Sequence, residues 1–272
     1  MRLGLLAVAA EQQHAPAPDL SSAARVDLEF GALYLPVEDE VVLPALRDEG
    51  TWEPGETLIV RDRLEPGMTF VDVGAHVGYF TCLAARAVGP RGLVLAFEPH
   101  PRNYELLLAN VWANGLLNVA CFPWAVADGN GFEQLYVSAA NTGDHRLFGG
   151  EGRQESITVR TVALDNVNAI RPPVDFVKVD VQGGEDRVVR GMRALLEASP
   201  GATLLVEYWP HGIRLRGEDE RTILGFYREL GYRRQVQNPY ELGLSELNDD
   251  EILEYCRGAT GIQHTNLLLT KP

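Results

Sequence analysis

The fold of this chain is decided by the stretch FVDVGAHVGYFT, residues Phe70 to Thr81. An apolar strand runs into a turn that contains Gly74 and Gly78, and residues Thr81 to Val88 can continue as a helix. Glycine at these two positions lets the backbone turn sharply at the end of the strand and approach a ligand closely. The stretch therefore predicts a nucleoside-cofactor site at the carboxyl end of the first strand of an α/β fold.

The glycine spacing argues against a nicotinamide cofactor. The pattern is Asp72-x-Gly74-x-x-x-Gly78, with one residue too many between its glycines for the G-x-G-x-x-G that cradles a pyrophosphate. An acid where a phosphate would lie suits the cationic methyl donor S-adenosylmethionine (SAM), whose ammonium Asp72 can bind. Glu98 ends the next apolar run, residues 93–97, where an acid can accept both ribose hydroxyls. Together these residues favour SAM over an ordinary strand-to-helix turn.

Length and composition predict one main α/β domain. The chain has 272 residues, 46% of them hydrophobic, which is enough for one good-sized core and an amino-terminal extension. Its formal net charge of -14 repels phosphate backbones, so nucleic acid is disfavoured as a substrate. Three widely spaced cysteines favour reduced thiols. The apolar start resembles a signal peptide only faintly, and no other run reaches the length of a membrane span, so we expect a soluble cytoplasmic protein.

We expect three parts along the chain. Residues 1–24 form a leader, polar and proline-bearing from residue 11, which we expect to be mobile. Residues 25–66 form a small cap, with a strand or hairpin around Gly31 and helical patterns at 41–47 and 55–64. Residues 67–272 form the main domain, and its glycine-rich insertion at about 138–155 is interpreted as a lid over the site.

Short apolar runs alternate with helical patterns through the main domain, as in a parallel sheet with helices on both faces. Strands are predicted at 69–73, 92–97, 118–122, 175–180 and 203–207, helices at 78–88, 101–114, 185–197 and 219–230, and an extended pair at 133–137 and 156–161. Two final strands, 232–236 and 265–270, have no long helix predicted between them. We expect them to close a seven-stranded sheet as an antiparallel hairpin.

Four sequence blocks resemble the FkbM family of SAM-dependent methyltransferases. They are Phe70–Thr81, Phe97–Pro99 with Asn103 and Tyr104, Ala125–Asp128 and Asp175–Gly183, within a region of resemblance from about residue 49 to 210. The resemblance implies a Rossmann-like class I methyltransferase fold, with a seven-stranded, mostly parallel sheet and an antiparallel last strand. It also implies methyl transfer, usually to a hydroxyl oxygen of a sugar, a polyketide or another bacterial metabolite.

Two positions depart from the family pattern. His76 stands where the family often has asparagine, and it could bring a titratable group near the cofactor. Gln182 stands where glutamate is common, which puts in doubt any proton transfer or metal ligation by that position.

The predicted cofactor site lies in the glycine turn and at the neighbouring strand ends. Asp128 follows the third strand, where it is placed to accept a hydrogen bond from the adenine amino group, although an acid there can also cap the turn. The full set of predicted cofactor-binding residues is Asp72, Gly74, Ala75, His76, Gly78, Tyr79, Glu98, Pro99, Asn103, Ala125, Asp128 and Asp180.

Methyl transfer to an alcohol needs in-line positioning and a base that takes the hydroxyl proton. The candidates at the ends of the fourth and fifth strands are Asp180, Lys178, Glu207 and His211. Asp180 is our first choice, either on the methionine ammonium or orienting the acceptor. A buried ion pair would also explain Lys178, and a solvated loop would also explain His211. His145, in the lid, has less positional support, and Asp165, Asp180 and Glu207 are too scattered in sequence to predict a metal site.

The leading prediction is a SAM-dependent O-methyltransferase that acts on a small bacterial metabolite, a sugar or polyketide hydroxyl. N-methylation of an amino sugar or an aliphatic amine is the alternative, and an NAD-dependent oxidoreductase or epimerase is less favoured because the third glycine is missing. A binding protein that keeps the fold without turnover is a further class. We expect a small hydroxylated or glycosylated partner, no nucleic acid, no membrane and no metal, and the sequence allows a homodimer.

Overall fold

The computed structural model describes residues 20–138, 141–149, 155–237, 243–257 and 264–272. Residues 1–19 of the predicted leader and residues 139–140 and 150–154 of the predicted lid lie outside the described residues. The first strand begins at Ala23, inside the range assigned to the leader.

The amino-terminal elements form the small layer predicted as a cap. They are β1 (Ala23–Leu28), β2 (Gly31–Pro36), α1 (Val42–Glu49) and α2 (Pro54–Arg63). The two strands pair as an antiparallel hairpin that turns at Gly31, where φ is +141°, as the sequence predicted.

The central elements alternate strand and helix, as the apolar runs predicted. They are β3 (Thr69–Val73), α3 (Tyr79–Val88), β4 (Leu93–Phe97), α4 (Pro101–Ala113), β5 (Val119–Phe122), β6 (Ala125–Val126), β7 (Gly131–Tyr136), β8 (Ser156–Val162), a 3-10 turn (Leu164–Asn166), β9 (Phe176–Val179), α5 (Glu185–Arg190), α6 (Arg193–Glu197) and β10 (Thr203–Tyr208). The carboxyl-terminal elements are α7 (Pro210–Leu215), α8 (Arg221–Glu229), β11 (Arg233–Gln237), β12 (Leu244–Glu246), α9 (Asp249–Arg257) and β13 (Thr265–Thr270).

One large sheet organises these elements, with strand order β12-β11-β13-β10-β9-β3-β4-β5. The five strands from β10 to β5 are parallel, and β13 lies antiparallel between β10 and β11. Successive residues of β3 face opposite layers: Val71 belongs to one apolar cluster and Phe70 to the other. Because both faces of the sheet are covered, its central strands are mostly apolar, and the predicted α/β class is confirmed.

The end of the sheet differs from the prediction. The described residues form an eight-stranded sheet rather than one of seven strands, because β12 pairs with β11 at the edge. The predicted antiparallel pairing of the last two strands is confirmed for β11 and β13, but the expectation that no helix lies between them is wrong, since α9 separates them in sequence. Only three of the nine residues of α9 are buried, namely Ile252, Leu253 and Cys256, so the sequence signal for this helix is weak.

The predicted helix 185–197 is interrupted at Gly191. The carbonyl oxygen of Gly191 accepts a hydrogen bond from the Asp165 N–H at 2.9 Å, and a Cβ at Gly191 would lie 2.0 Å from the Ala127 carbonyl oxygen. The Asp165 carboxylate accepts from the N–H groups of Ala194 and Leu195, at the start of α6. Asp165 therefore caps the start of α6.

Within the described residues, no helix combines the length and apolar character needed to cross a bilayer.

Two asparagines, Asn110 in α4 and Asn114 directly after it, fasten the β1–β2 hairpin to this helix. Asn110 accepts from the Tyr34 N–H at 2.7 Å and donates to the carbonyl oxygens of Tyr34 and Val77 at 2.9 and 2.7 Å. Asn114 forms the same two-way pairing with Ala32. These amides take the place of a neighbouring strand for β2, so the cap is held by polar side chains as well as by apolar packing.

We predict that Asn110→Ala lowers the free energy of unfolding by about 3 kcal/mol, because it leaves buried backbone groups of the hairpin and the glycine turn unpaired. Urea denaturation of the full chain measures the change. Glu105→Ala, an exposed position on the same helix, is the control and should cost under about 0.5 kcal/mol. Equal stability of the two variants would contradict this role of Asn110.

Candidate active site

A cleft lies over the carboxyl ends of β3, β4 and β9 and encloses about 530 Å³, the open solvent at its mouth included. Seven of the predicted cofactor-binding residues line it: Gly74, His76, Glu98, Pro99, Asn103, Ala125 and Asp180. Apolar walls are supplied by Phe97, Trp124, Leu135 and Leu147. The cleft is therefore at the edge of the sheet where the sequence predicted a ligand.

Gly74 brings two strand ends together. Its φ is +83°, and a Cβ at this position would lie 1.8 Å from the backbone carbonyl oxygen of Asp180. The Gly74 N–H donates to the Phe97 carbonyl oxygen at 3.0 Å. Only glycine fits both this backbone conformation and this contact. The sequence predicted that Gly74 approaches a ligand closely; it lines the cleft and also packs against the end of β9.

Glu98 presents a buried carboxylate to the cleft. Its Oε2 accepts from the His76 backbone N–H at 2.9 Å, and its Oε1 accepts from the His100 backbone N–H at 2.8 Å. Burial raises the pKa of Glu98 to about 7, although these N–H donors act in the opposite direction. Each oxygen keeps a further lone pair for a ligand hydroxyl.

Asp72 does not reach the cleft. It is 1% exposed and accepts a hydrogen bond from the Thr81 hydroxyl at 2.6 Å, which ties β3 to α3. Burial raises the pKa of its carboxyl group. The described structure therefore gives Asp72 a role in holding the turn and does not place it where the sequence analysis put a ligand ammonium.

Three further predicted cofactor residues also lie outside the lining. Ala75 uses its N–H to bond the Phe97 carbonyl oxygen, and a Cβ at Gly78 would meet Leu107 of α4 at 2.5 Å. The Tyr79 hydroxyl points to the cap, 3.1 and 3.2 Å from the hydroxyls of Thr51 and Thr57. These three residues therefore contact other parts of the protein and support the turn without lining the cleft.

Asp128 is paired with arginine instead of facing the cleft. Its Oδ1 accepts from Arg187 Nε and Nη2 at 2.9 and 2.8 Å, and Arg190 lies 3.8 Å from Oδ2. Arg187 outweighs the partial burial and lowers the pKa of Asp128. Asp128 is therefore held by two cations outside the lining of the cleft, and the adenine contact stays a prediction.

Lys178 and Asp180 form a buried ion pair beside the cleft. Lys178 Nζ lies 3.0 Å from Asp180 Oδ2, 4.0 Å from Glu53 Oε2 and 4.4 Å from the centre of the Phe80 ring. Burial alone would lower the pKa of Lys178, but Asp180, Glu53 and Asp72 raise it above its ordinary value. Lys178 therefore stays protonated, and the ion-pair interpretation of this residue is favoured over a role as a base.

The ion pair continues as a hydrogen-bonded chain to the next strand. Gln182 Nε2 donates to Asp180 Oδ1 at 2.7 Å and to Glu207 Oε2 at 3.0 Å. Burial strongly raises the pKa of Glu207, and the negative charges of Asp180, Glu185 and Glu53 add to that effect. Although burial opposes it, Lys178 holds the pKa of Asp180 below its usual range. Three of the four predicted catalytic residues are thus brought together, and two carboxyl groups bridged by one amide have different proton affinities.

His211 does not belong to this hydrogen-bonded chain. It lies on α7, is not among the residues that line the cleft, and its ring centre is 5.8 Å from that of Trp209. His145 does line the cleft, its ring 4.2 Å from His100, and its Nδ1 accepts from the Ser138 N–H at 3.1 Å. Among the described residues no group of three or more His, Cys, Asp or Glu side chains has the geometry of a metal site.

The sequence analysis missed Glu53 and Thr142. Across the described ranges, the non-glycine residues with positive φ are Glu53 (45°), His76 (50°) and Gln182 (57°), and all three belong to this site. Such backbone strain clusters at functional sites. Glutamate and glutamine carry no sequence signal for a left-handed backbone, and Thr142 lies in an insertion whose path cannot be read from a pattern.

We predict that Lys178→Met lowers the free energy of unfolding by about 3 kcal/mol, because the partly buried Asp180 is left without its cation. Adding Asp180→Asn should recover most of the loss. Lys271→Met, at the only other lysine, is the control and should cost under about 1 kcal/mol. Urea denaturation of the single and double variants forms a thermodynamic cycle, and additive losses would contradict the pairing.

Comparison with known proteins bears on the identity of the site. A hexuronic acid methyltransferase, AglP of Haloferax volcanii, is 27% identical over 151 residues, which are 53% of this chain and 59% of the relative. The chain therefore matches little more than half of that relative's length.

Among solved structures, the FkbM methyltransferase of Methylobacillus flagellatus KT aligns with a TM-score of 0.48 and 12% identity, covering 76% of this chain and 44% of that one. A SAM-dependent O-methyltransferase of Thermotoga maritima aligns with a TM-score of 0.47 and 15% identity, covering 93% and 87%. The sequence profile of the FkbM methyltransferase domain matches residues 72–234, from the glycine turn to β11. Because this match covers more than half of the chain, the protein belongs to the FkbM methyltransferase family.

Proposed function

We propose that this methyltransferase transfers a methyl group from SAM to a hydroxyl oxygen of a small polar metabolite, such as a sugar. The observation that carries the proposal is the hydrogen-bonded chain Lys178–Asp180–Gln182–Glu207, which begins beside the cleft and ends at a carboxyl group of raised pKa. Asp180 and Gln182 belong both to the cleft lining and to this chain. A cofactor pocket and a candidate base are therefore adjacent.

The residues of the cleft suit the nucleoside part of SAM. Glu98 retains acceptor capacity on both carboxylate oxygens, as ribose hydroxyls require. Within the described part of the chain, Asn103 Oδ1 is buried and has no hydrogen-bond donor, so it can accept from a ligand. Bound SAM supplies a methyl group on a sulfonium. Asp180, at the far side of the cleft, is an acid suited to the cationic part of that ligand.

Glu207 is the best candidate for the base. A carboxyl group whose pKa is raised by burial binds a hydroxyl proton more readily than an ordinary carboxylate does. Gln182 Nε2 fixes one of its oxygens with a hydrogen bond. Asp180 is less suited to this step because Lys178 stabilises its ionised form.

A sugar acceptor is supported from two sides. The relative AglP is by its name a hexuronic acid methyltransferase. The hydrogen-bonded chain offers the carboxyl group of Glu207 and the amide of Gln182, which can bind the hydroxyl groups of a sugar. Trp209 lies nearby, with its ring against Gly183.

N-methylation of an amino sugar or an aliphatic amine is the second candidate. Glu53, Asp180 and Glu207 bring three carboxyl groups around the single ammonium of Lys178. Asp180 is held in its ionised form, and its carboxylate could bind an ammonium substrate. Nicotinamide chemistry is not favoured, since the turn lacks the third glycine of that motif.

We expect the enzyme to act in the cytoplasm, where its buried cysteines, none of which forms a disulfide, stay reduced. The net charge of -14 supports a small-molecule substrate over nucleic acid.

Labelled methyl transfer tests the proposal. The full chain is incubated with methyl-labelled SAM and a panel of hexose, hexuronate and amino-sugar glycosides and polyketide alcohols, and the products are located by mass spectrometry and NMR. O-methylated product supports the proposal, and N-methylated product would favour the second candidate. Calorimetry that shows NAD binding without SAM binding would contradict both.

We predict that Glu207→Gln lowers kcat by about 10² to 10⁴ with the acceptor found in that panel, because the base is lost. Affinity for the product S-adenosylhomocysteine (SAH) should stay within twofold. Glu229→Gln, an exposed carboxyl group at the end of α8, is the control and should keep full activity. A kcat within threefold of the wild type would remove Glu207 as the base.

We predict that SAH affinity rises between pH 6 and pH 8. The pKa of Glu98 is about 7, so the group is largely neutral at pH 6, and ribose hydroxyls favour its ionised form. Binding therefore releases a proton below pH 7, with up to tenfold gain in affinity per pH unit and a plateau above the pKa. Calorimetry in buffers of different ionisation enthalpy measures both quantities. Glu98→Gln should remove the dependence, and equal wild-type affinity at pH 6 and pH 8 would contradict the role of Glu98.

A further inference from the structure

His76 occupies the sharpest part of the glycine turn and faces two ways. Its backbone N–H donates to Glu98 Oε2, and its ring nitrogen Nε2 lies 2.9 Å from the hydroxyl of Thr142. Its φ of 50° is unfavourable for a residue with a side chain. A backbone of this kind persists only where other contacts compensate for its cost, and the contact of the His76 ring with Thr142 is one of them.

Thr142 joins three separate parts of the chain. Its hydroxyl bonds both His76 Nε2 and Asp39 Oδ2, and its carbonyl oxygen accepts from Asn103 Nδ2 at 2.8 Å. Thr142 also lines the cleft. The segment 141–149 is therefore fastened to the cofactor turn and to the cap through one residue.

The hydrogen bonds of Asp39 determine which atoms of this contact carry the protons. Asp39 is 3% exposed, and its Oδ1 accepts from the backbone N–H groups of Val41, Val42 and Leu43 at the start of α1. These donors and Thr142 outweigh burial and lower the pKa of Asp39, so its carboxylate is ionised and only accepts. A threonine hydroxyl has one proton, which goes to Asp39.

The Thr142 oxygen must then accept from the histidine. His76 is neutral at pH 7, because burial lowers its pKa to about 4, so its ring carries one N–H. That proton is on Nε2, where the Thr142 oxygen accepts it. Nδ1 is left with a lone pair and no proton.

We propose that His76 Nδ1 accepts a hydrogen bond from an O–H or N–H group of the bound cofactor, and that Asp39 and Thr142 are positioning residues that fix this tautomer. The inference rests on the proposed function, since it takes SAM and SAH as the ligands of the cleft. Asparagine, common here in the family, has both a donor and an acceptor end. Histidine needs its tautomer set from outside, and the cap and the lid segment supply that setting.

Nitrogen-15 NMR of the full chain tests the tautomer directly. The chain has six histidines, and the spectrum of His76→Asn identifies the His76 signals by their loss. We expect a neutral ring protonated on Nε2 at pH 7. Thr142→Ser should keep this state, and Thr142→Val should populate the other tautomer. A wild-type ring protonated on Nδ1 would overturn the proposal.

Binding of SAH and 5′-methylthioadenosine provides the second readout. We expect Thr142→Val to weaken SAH about tenfold, Thr142→Ser to restore it, and the exposed control Thr158→Val to leave it unchanged. Equal loss for both ligands assigns the donor to the nucleoside, and loss for SAH alone assigns it to the amino group. If wild-type protein binds no SAH, the proposed function fails. If it binds SAH and Thr142→Val binds equally well, only the present inference fails.

Discussion

The contact between Gly74 and the carbonyl oxygen of Asp180 sets the distance between the two parts of the active site. A single added methyl group would lie 1.8 Å from that oxygen, so the ends of β3 and β9 meet backbone to backbone. On one side of the contact Glu98 and His76 line the cleft proposed to bind the cofactor. On the other side Asp180 leads through Gln182 to Glu207. Transfer between a donor and an acceptor depends on such fixed spacing, and here the central strands of the sheet provide it.

Burial of charge is the second organising feature. Lys178 is the cation that faces Asp180 and Glu53, and it is itself shielded from water. It stabilises the ionised form of Asp180, while burial outweighs its influence on Glu207. Two carboxyl groups bridged by one glutamine amide therefore have different proton affinities. In the proposed reaction, this difference would let Asp180 orient or bind a cation while Glu207 takes a proton.

The sequence predicted the parts of the site that depend on backbone pattern. The β3 turn and the acid at the end of β4 follow from strand periodicity and glycine placement, and both lie where expected. Asp72 and Asp128 were assigned to the ligand because acids at strand ends commonly bind one. Their carboxylates are taken instead by Thr81 and by Arg187, partners that no local pattern reveals.

The missed features have the same cause. Glu53 reaches the site from the cap and contacts Lys178, which is 125 residues away in sequence. Thr142 reaches it from the predicted lid and contacts His76, which is 66 residues away. The helix α9 escaped notice because its buried face is only three residues long. Contacts between residues far apart in sequence determine these assignments, and a single sequence does not show which distant residues meet.

A crystal structure of the complex with SAH tests the central claim most directly. The account predicts the ribose hydroxyls on the Glu98 carboxylate and the sulfur directed toward Asp180, on the side of the cleft that leads to Gln182 and Glu207. A ligand bound away from Glu98, or one whose sulfur faces away from Asp180, would contradict it.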